Sequence, residues 1–400
     1  MFVSKKEYKR EVDLLFWNEH YALITNFSAF LRDLTNCRNK IWFCKSCFGH
    51  HFSEEALANH KLFCKTINWC NQILFLPDPE TFTKFKNIKY QQACPFVIYA
   101  DFECLTTPFD KKKHNTTQYQ HHVPCSIGYK IISRVQGLKI DTTLKVHTGE
   151  DSVEWFLEQL EREEQILIKA LAQFEEMHLT DANKADYLKA DKCYLCFKPF
   201  GTKQLKVRDH NHLTGEYRGA AHTSCNLQLS TQYKIPVFFH NFRGYDSHLL
   251  VWGLAKYPNS KLSVIGQGVE KYLLVEWGPH YQFKDSLQFL PASLERLVEN
   301  LKTCDVEKFV NLKAHFTNAT PQQIQLLKQK GIYPYDWMNS MEKMNERLLP
   351  PQESFNSILR NEACSDEDYK RAKEVWETFH FQTFKEYHEH YLACMIAMHF

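Results

Sequence analysis

The chain contains 400 residues, of which 44% are hydrophobic and 14% aromatic, and its formal net charge is +2. This length is enough for two or three domains with cores of their own. No apolar run approaches the about 18 residues that a transmembrane helix needs, so we expect no membrane span. The near-balanced charge excludes a general electrostatic attraction to nucleic acid, and any such binding must use local basic patches.

Two further features concern the cellular compartment. The first ten residues lack the apolar core of a secretion signal. The chain also contains 14 cysteines, which favour metal binding over disulfides in a protein that is not exported. We therefore expect an intracellular protein, nuclear or cytoplasmic, that is not secreted and keeps its thiols reduced.

The hydrophobic pattern predicts an α/β protein that is interrupted by cysteine/histidine clusters. Residues 94–150 alternate as strands do, 151–190 follow a helical period, strand patterns return at 235–240 and 271–277, and the sequence is largely helical after about residue 291. The predicted organisation is an N-terminal segment at 1–35, a zinc module at 36–70, an α/β domain with its halves at 92–190 and 229–400, and an insert at 191–228.

The first cluster has the spacing Cys44-x2-Cys47 and His60-x3-Cys64. Tetrahedral zinc takes four such ligands, and a knuckle followed by a helix brings them together within a short segment. The sequence therefore predicts an N-terminal ββα module with a structural Zn²⁺. Buried cysteine and histidine side chains that bind no metal are the alternative.

A second cluster lies in the middle of the chain, with the spacing Cys193-x2-Cys196 and His222-x2-Cys225. Its four side chains predict a second structural Zn²⁺. Because this cluster interrupts the α/β pattern, we expect it to be an insertion between two halves of one domain.

The insert also carries residues that zinc does not need. His210 is suited to act as a general base near neutral pH, and Asp209 and Asn226 offer oxygen ligands for one Mg²⁺. Arg208 and Arg218 suit the phosphate groups of DNA. A surface ion pair is the alternative for each arginine.

These residues resemble the ββα-metal (His-Me finger) motif of the recombination endonuclease VII family. The resemblance implies that Asp209 and Asn226 bind metal while His210 activates water. His222 stands where that family uses a cysteine, and zinc accepts either ligand. Two functions remain open for the insert: a metal-dependent endonuclease, or a catalytically inactive, zinc-dependent nucleic-acid-binding module.

Two apolar, strand-like stretches, 97–103 and 236–246, carry polar and acidic side chains at their ends. Asp101 and Glu103 are two residues apart, so both side chains leave the same face of an extended strand. Unpaired carboxylates repel each other and resist burial, but they suit divalent metal ions. With Asp246 of the second stretch, they predict a two-metal site for phosphodiester chemistry.

The two stretches resemble the first and second exonuclease motifs of family B DNA polymerases, in particular the protein-primed polymerases of the Maverick/Polinton type. The resemblance implies a ribonuclease H-like exonuclease fold, a mixed sheet with flanking helices, that degrades single-stranded DNA from its 3′ end. Asp101, Glu103 and Asp246 would hold Mg²⁺ or Mn²⁺, and Asn241 would help to hold the strand terminus.

Aromatic side chains accompany both motifs. Phe102 and Tyr245 can stack on the terminal bases, and such stacking contributes about 1–3 kcal/mol per base in nucleic-acid complexes. Ordinary packing in the core or along a strand is the alternative.

The third exonuclease motif of that family is a tyrosine followed four residues later by an aspartate. Tyr391 takes the tyrosine role of orienting the attacking water, but Met395 stands at the acidic position. A thioether does not hold Mg²⁺, so we expect impaired exonuclease activity. Since nothing resembles the polymerase palm, we expect a polymerase fragment whose partners are the single-stranded 3′ end of DNA and either a protein primer or the missing polymerase portion.

Overall fold

The computed structural model describes residues 10, 12–32, 40–64, 87, 90, 92–113, 116–135, 138–201, 205–229, 234–257, 261–268, 271–301 and 309–398; at 63, 110–113 and 116–119 it describes the backbone only. The chain divides into two compact units, Met1–Phe85 and Lys86–Phe400. In the described part of the chain, no helix is both long and apolar enough to cross a lipid bilayer.

The first unit consists of short elements. They are β1 (Asp13–Trp17), β2 (His20–Ile24), α1 (Phe27–Phe30), β3 (Trp42–Phe43), β4 (His50–His51) and α2 (Glu54–Cys64). β1 and β2 form a hairpin whose turn residues, Asn18 and Glu19, have positive φ, as a two-residue hairpin turn requires. The antiparallel pair β3–β4 and the helix α2 follow in the order predicted for the zinc module. Residues 36–39 and 65–70 of that prediction lie outside the described residues.

The second unit contains the remaining elements. Its strands are β5 (Phe96–Lys113), β6 (Thr116–Ser133), β7 (Lys145–Thr148), β8 (Lys206–His210), β9 (Tyr217–His222), β10 (Ile235–Phe239), β11 (Leu262–Gly268), β12 (Lys271–Trp277) and β13 (Tyr281–Asp285). Its helices are α3 (Ser152–Leu171), α4 (Asp181–Lys189), α5 (Thr223–Asn226), α6 (Asp246–Leu254), α7 (Leu294–Leu301), α8 (Val310–His315), α9 (Pro321–Leu327), α10 (Asp366–Thr378) and α11 (Phe384–Met398).

Seven strands of this unit form one mixed sheet in the order β11-β12-β13-β10-β5-β6-β7, so the predicted α/β class is confirmed. β5, β6 and β7 are antiparallel neighbours, whereas β10 runs parallel to both β5 and β13. β10 pairs with β5 only as far as Tyr99. Asp101 and Glu103 therefore lie just beyond the point at which β5 and β10 separate.

Side chains alternate across β5 and divide the core of this unit into two layers. Ile98, Ala100 and Phe102 belong to the main core with α3 and α6. Leu105 packs on the opposite face of the sheet, against Tyr391 of α11. By this alternation, the two acidic residues of β5 lie on the α11 side.

Two predictions of helix were too broad. The region 151–190 forms two helices, α3 and α4, and Thr180 caps the second one by accepting the N–H of Asn183. In the region predicted to be largely helical after about residue 291, α10 ends at Thr378, because His380 takes a positive φ of 56°. The region 329–365 is mainly irregular, since its prolines remove backbone donors that helices need.

Candidate metal centres and acidic site

The cysteine/histidine cluster of the first unit brings the ligand atoms of Cys44, Cys47, His60 and Cys64 within 4.8 Å of one another. The Sγ atoms of Cys44 and Cys64 are 3.7 Å apart, and Cys47 Sγ lies 3.1 Å from His60 Nε2. Two thiolates bound to one tetrahedral zinc, each about 2.3 Å from it, are about 3.8 Å apart. This cluster therefore fits a zinc ion.

The cluster of the insert brings Cys193, Cys196, His222 and Cys225 together in the same way. His222 Nδ1 lies 3.4 Å from Cys196 Sγ and 3.9 Å from Cys225 Sγ. Its Nε2 lies 3.3 Å from the carbonyl oxygen of Pro199. An N–H at Nε2 that donates to this carbonyl leaves Nδ1 unprotonated and directed at the thiols, as a zinc ligand requires.

Backbone N–H groups favour the thiolate form of one cysteine in each cluster. Burial raises the pKa of Cys44, but the N–H groups of Cys47 and Ser46 lower it, and the net pKa is below the ordinary value. In Cys193, burial is outweighed in the same way by the N–H groups of Cys196 and His222. Since the thiolate is the form that binds metal, both clusters can bind zinc.

Asp209 of the insert is the centre of a buried ion pair. Arg218 donates from Nε to Oδ2 and from Nη2 to Oδ1, each at 2.9 Å, and the Tyr194 hydroxyl also donates to Oδ2. These bonds use three of the about four lone-pair positions of a carboxylate. Only Oδ1 keeps room for a cation, so Asp209 in this arrangement is a poor ligand. The guanidinium of Arg218 is engaged in this ion pair.

The other predicted residues of the insert are more open. His210 Nε2 is buried and has no hydrogen-bond partner among the described residues, and burial together with neighbouring His212 lowers its pKa. Asn226 is half-buried at the end of α5. Arg208 is exposed, with its Cζ 4.3 Å from the centroid of the Tyr187 ring. A neutral imidazole suits a general base, and the exposed arginine suits a phosphate.

The acidic site lies where β5 and β10 separate. Glu103 and Asp246 are buried, and Asp101 is partly buried. Among the described residues, only the two cysteine/histidine clusters bring three or more ligand atoms within 4.8 Å, so the three carboxylates are spaced more widely.

Burial raises the pKa of all three carboxyl groups. It raises that of Asp101 to about 7, although the N–H of Phe102 and the charge of Lys330 act against it. For Glu103, burial and the charges of Asp101 and Asp246 place the pKa well above the ordinary value. The pKa of Asp246 is also well above its ordinary value, because of burial and then Asp101.

One carboxylate oxygen in this site is buried without a hydrogen bond among the described residues. Oδ1 of Asp246 is buried and has no hydrogen-bond partner in the described part of the chain. A buried anionic oxygen is costly unless a donor or cation compensates it. The donor set of three carboxylates therefore fits Mg²⁺ or Mn²⁺, which prefer oxygen ligands.

Tyr391 of α11 faces this site from the layer on the same side of the sheet as the acids. It is buried, its pKa is raised by burial and by Tyr335 and Glu103, and its hydroxyl lies 2.5 Å from that of Tyr335. A Cβ atom on Gly331 would lie 2.6 Å from the Tyr391 ring, so only glycine allows this close approach. Met395, one turn further on, packs among apolar side chains and offers the site no oxygen.

Two further side chains of α11 form hydrogen bonds with other elements of the unit. Glu389 accepts a hydrogen bond from Thr148 of β7 at 2.8 Å and lies near Lys385, so it is engaged away from the acids. His388 is fully buried between the hydroxyl groups of Ser126 and Tyr333, each at 2.6 Å. Burial lowers its pKa to about 3, so the ring is neutral and joins α11 to β6.

The predicted DNA-binding residues of the exonuclease motifs occupy different environments. Phe102 is buried and stacks on Phe239, so packing in the core, the alternative interpretation, describes it. Asn241 is exposed and has a φ of 73°. The Tyr245 hydroxyl lies 2.7 Å from His122 Nδ1. Of these side chains, Asn241 is the most accessible to a strand of nucleic acid.

Sequence reasoning missed Lys330. This residue is partly buried, and its positive charge lowers the pKa of both Asp101 and Glu103. It lies after α9, more than two hundred residues from the acids along the chain. In the sequence, Lys330 is recognisable only as a lysine directly before Gly331. This pattern does not predict that the residue lies near the acids.

Residues 171–246 match the recombination endonuclease VII family. The match covers about a fifth of the chain, from the end of α3 to the start of α6. It shows an endonuclease VII-like domain, which suggests a nuclease or nucleic-acid-binding role. No curated protein and no solved structure matches the chain.

The endonuclease VII-like domain contains the second zinc cluster, the Asp209–Arg218 pair and His210. It extends past the insert predicted at 191–228 and includes β10 and Asp246. The domain and the acidic site therefore share a stretch of chain, and β10 connects them directly.

Elemental analysis tests the two clusters. We expect about two Zn²⁺ per chain, and about one in a Cys225→Ser variant, because three ligands hold zinc less tightly than four. Cys364→Ser alters a thiol outside both clusters and should leave two. Loss of zinc from this control, or two zinc ions in Cys225→Ser, would contradict the assignment.

Stability at different pH values tests the acidic site without Mg²⁺ or Mn²⁺. Asp101 has a pKa of about 7 when folded and about 3.9 when unfolded, so between these values the folded state binds an extra proton and stability falls as pH rises. Asp101→Asn removes this loss. We expect its Tm to exceed that of wild type at pH 8, with convergence below pH 4, in thermal unfolding monitored by circular dichroism.

Asp141→Asn is the matched control with the opposite sign. The hydroxyl and N–H of Thr143 lower the pKa of Asp141 to about 2, so its charge stabilises the folded state above the unfolded pKa. This control should have a lower Tm than wild type at pH 8. An Asp101→Asn variant with the pH dependence of wild type would refute the assignment.

Proposed function

We propose that the second unit is a ribonuclease H-like 3′-to-5′ exonuclease domain that acts on the single-stranded 3′ end of DNA. One observation carries the proposal: Asp101, Glu103 and Asp246 meet where β5 and β10 separate, and Oδ1 of Asp246 is buried there with no hydrogen-bond partner among the described residues. Divalent cations would compensate this charge.

The order of the strands supports the proposal. From β7 to β13 the sheet reads β7-β6-β5-β10-β13, with β6 antiparallel to β5 and with β10 and β13 parallel to it. This is the arrangement expected of a ribonuclease H-like fold, with β11 and β12 as an additional antiparallel pair at one edge.

The chain's own residues would divide the chemistry among them. Mg²⁺ or Mn²⁺, when bound, would activate the attacking water and stabilise the charge of the leaving 3′ oxygen. Asp101, Glu103 and Asp246 would hold the ions in place. The Tyr391 hydroxyl, itself held by Tyr335, would orient the attacking water, and the apolar cluster around it limits access of bulk water.

The substrate side of the proposal rests on exposed polar groups and on the endonuclease VII-like domain. Asn241 is the first residue of the turn that leads to Asp246, where its side chain can hold the terminus of a DNA strand. Arg208 can contact a phosphate further along the strand. The resemblance to protein-primed polymerases adds two proposed partners, a protein primer and a polymerase portion.

A metal-dependent endonuclease is the second candidate, and the family match at 171–246 favours it. His210 would act as the base, with Asp209 and Asn226 on one Mg²⁺. The bonds from Arg218 and Tyr194 to Asp209 oppose this function, because a cation would have to displace at least part of them.

One assay separates the candidates. The full chain with Mn²⁺ is offered 3′-labelled single-stranded DNA beside a branched duplex. We expect release of labelled mononucleotides that is abolished by Asp101→Ala and unchanged in His210→Ala. Internal cuts abolished by His210→Ala would instead favour the endonuclease, and retention of DNA without cleavage by any variant would favour a binding module.

Met395 supplies a gain-of-function test. Met395→Asp restores a carboxylate one turn from Tyr391, which should strengthen metal binding and raise the rate of mononucleotide release at least about tenfold. Met395→Asn is the matched control, since it adds an amide of the same shape without charge. Equal rates for the two variants would contradict a role for this position in metal binding.

A further inference from the structure

Asp285 is a buried carboxylate beside the acidic site that no exonuclease motif includes. It is the last residue of β13 and lies opposite Phe239, the last residue of β10, in the parallel register of the two strands. Only 1% of its surface is exposed. An acidic side chain at such a depth must be paired with hydrogen-bond donors or cations, so its partners indicate its role.

Those partners are backbone N–H groups. Oδ1 accepts the N–H groups of Asn241 and Leu287, each at 2.9 Å, and Oδ2 accepts the N–H of Arg243 at 3.1 Å. Hydrogen bonds to an ionised acceptor are roughly twice as strong as neutral ones. Asp285 thus fastens the start of the turn at 241–245 to the end of β13.

That turn needs an external acceptor. It links β10 to α6, and the residue before α6, Tyr245, makes no capping bond with its side chain. Asn241 takes a left-handed conformation with φ of 73°, which asparagine adopts more readily than most residues but less readily than glycine. A turn with such a residue keeps one conformation only when surrounding bonds fix it.

A second link joins the same two segments. His240 Nδ1 lies 2.9 Å from Ser286 Oγ, and His240 Nε2 lies 3.0 Å from the carbonyl oxygen of Ala292. Both ring nitrogens are therefore engaged by the segment that follows Asp285. The strand end that precedes Asp246 is held on two sides by one neighbouring segment.

We propose that Asp285 is the positioning residue of the acidic site: by accepting the N–H groups of Asn241 and Arg243, it fixes the turn that aims the Asp246 carboxylate at the bound cation. This inference rests on the proposed function, because it assumes that Asp246 binds metal. Asp285 would act through the backbone of the turn, because both of its oxygens accept backbone N–H groups.

The backbone N–H of Arg243 allows a sharp test. Arg243→Pro removes that donor, whereas Arg243→Ala keeps it and removes the same side chain. Proline also suits the φ of the short 3₁₀ turn Phe242–Gly244 in which the residue lies. In the zinc-loaded full chain, the probe is Mn²⁺, and its affinity is measured by electron paramagnetic resonance as the binding that Asp101→Ala abolishes.

We expect Arg243→Pro and Asp285→Asn to weaken this Mn²⁺ binding about 10- to 100-fold, the usual effect of losing a group that orients a ligand. Arg243→Ala should bind as wild type does. Asp141→Asn is the control for Asp285→Asn. Asp141 also accepts a backbone N–H and a hydroxyl group, but away from the acidic site. This variant should leave the Mn²⁺ affinity unchanged.

The possible results are distinct. If Arg243→Pro, folded by circular dichroism, binds Mn²⁺ as tightly as Arg243→Ala, the positioning role is overturned while the proposed function stands. If wild type shows no Mn²⁺ binding that Asp101→Ala removes, both the proposed function and this inference are overturned. Should Asp285→Asn fail to fold, the two Arg243 variants decide alone.

Discussion

Electrostatic repulsion among three carboxylates is the constraint around which the second unit is organised. Asp101 and Glu103 come from one strand and Asp246 from the helix that follows a parallel neighbour, and burial raises the pKa of each. The fold opposes this repulsion with hydrophobic burial on the other face of β5. Each large apolar side chain buried there contributes about 1.5–3 kcal/mol, and Phe102 fixes which way its two acidic neighbours point.

The layer that faces the acids is held by hydrogen bonds as well as by apolar packing. A neutral His388 joins α11 to β6 and to Tyr333, and Tyr391 is held by Tyr335. Buried networks of this kind fix one geometry when every member is satisfied. The acids thus lie between an apolar layer that sets their direction and a hydrogen-bonded layer that closes over them.

The sequence was informative where ligands are close along the chain. Cys193 and Cys196, or Asp101 and Glu103, are adjacent in any local structure that suits their spacing, so the zinc clusters and the acid pair could be predicted. Lys330 and Asp285 could not, because their contacts join segments that are remote in sequence. Phe102 shows a different limit: an aromatic residue between two acids has the same local pattern whether it faces a base or a core.

The hairpin of β5 and β6 has a further consequence. Both strands are 18 residues long, whereas β7 pairs with β6 only from Ser126 to Tyr129 and β10 reaches only Tyr99. The outer part of the hairpin is therefore a two-stranded ribbon, in which Thr106 donates its N–H to the carbonyl oxygen of Met338. Strand edges that no other strand covers are a template for pairing with other chains. Lys111, Lys112 and Lys113 lie in that ribbon, and their like charges oppose such pairing. Lysines on strand edges that no other strand covers are one means by which proteins oppose such pairing.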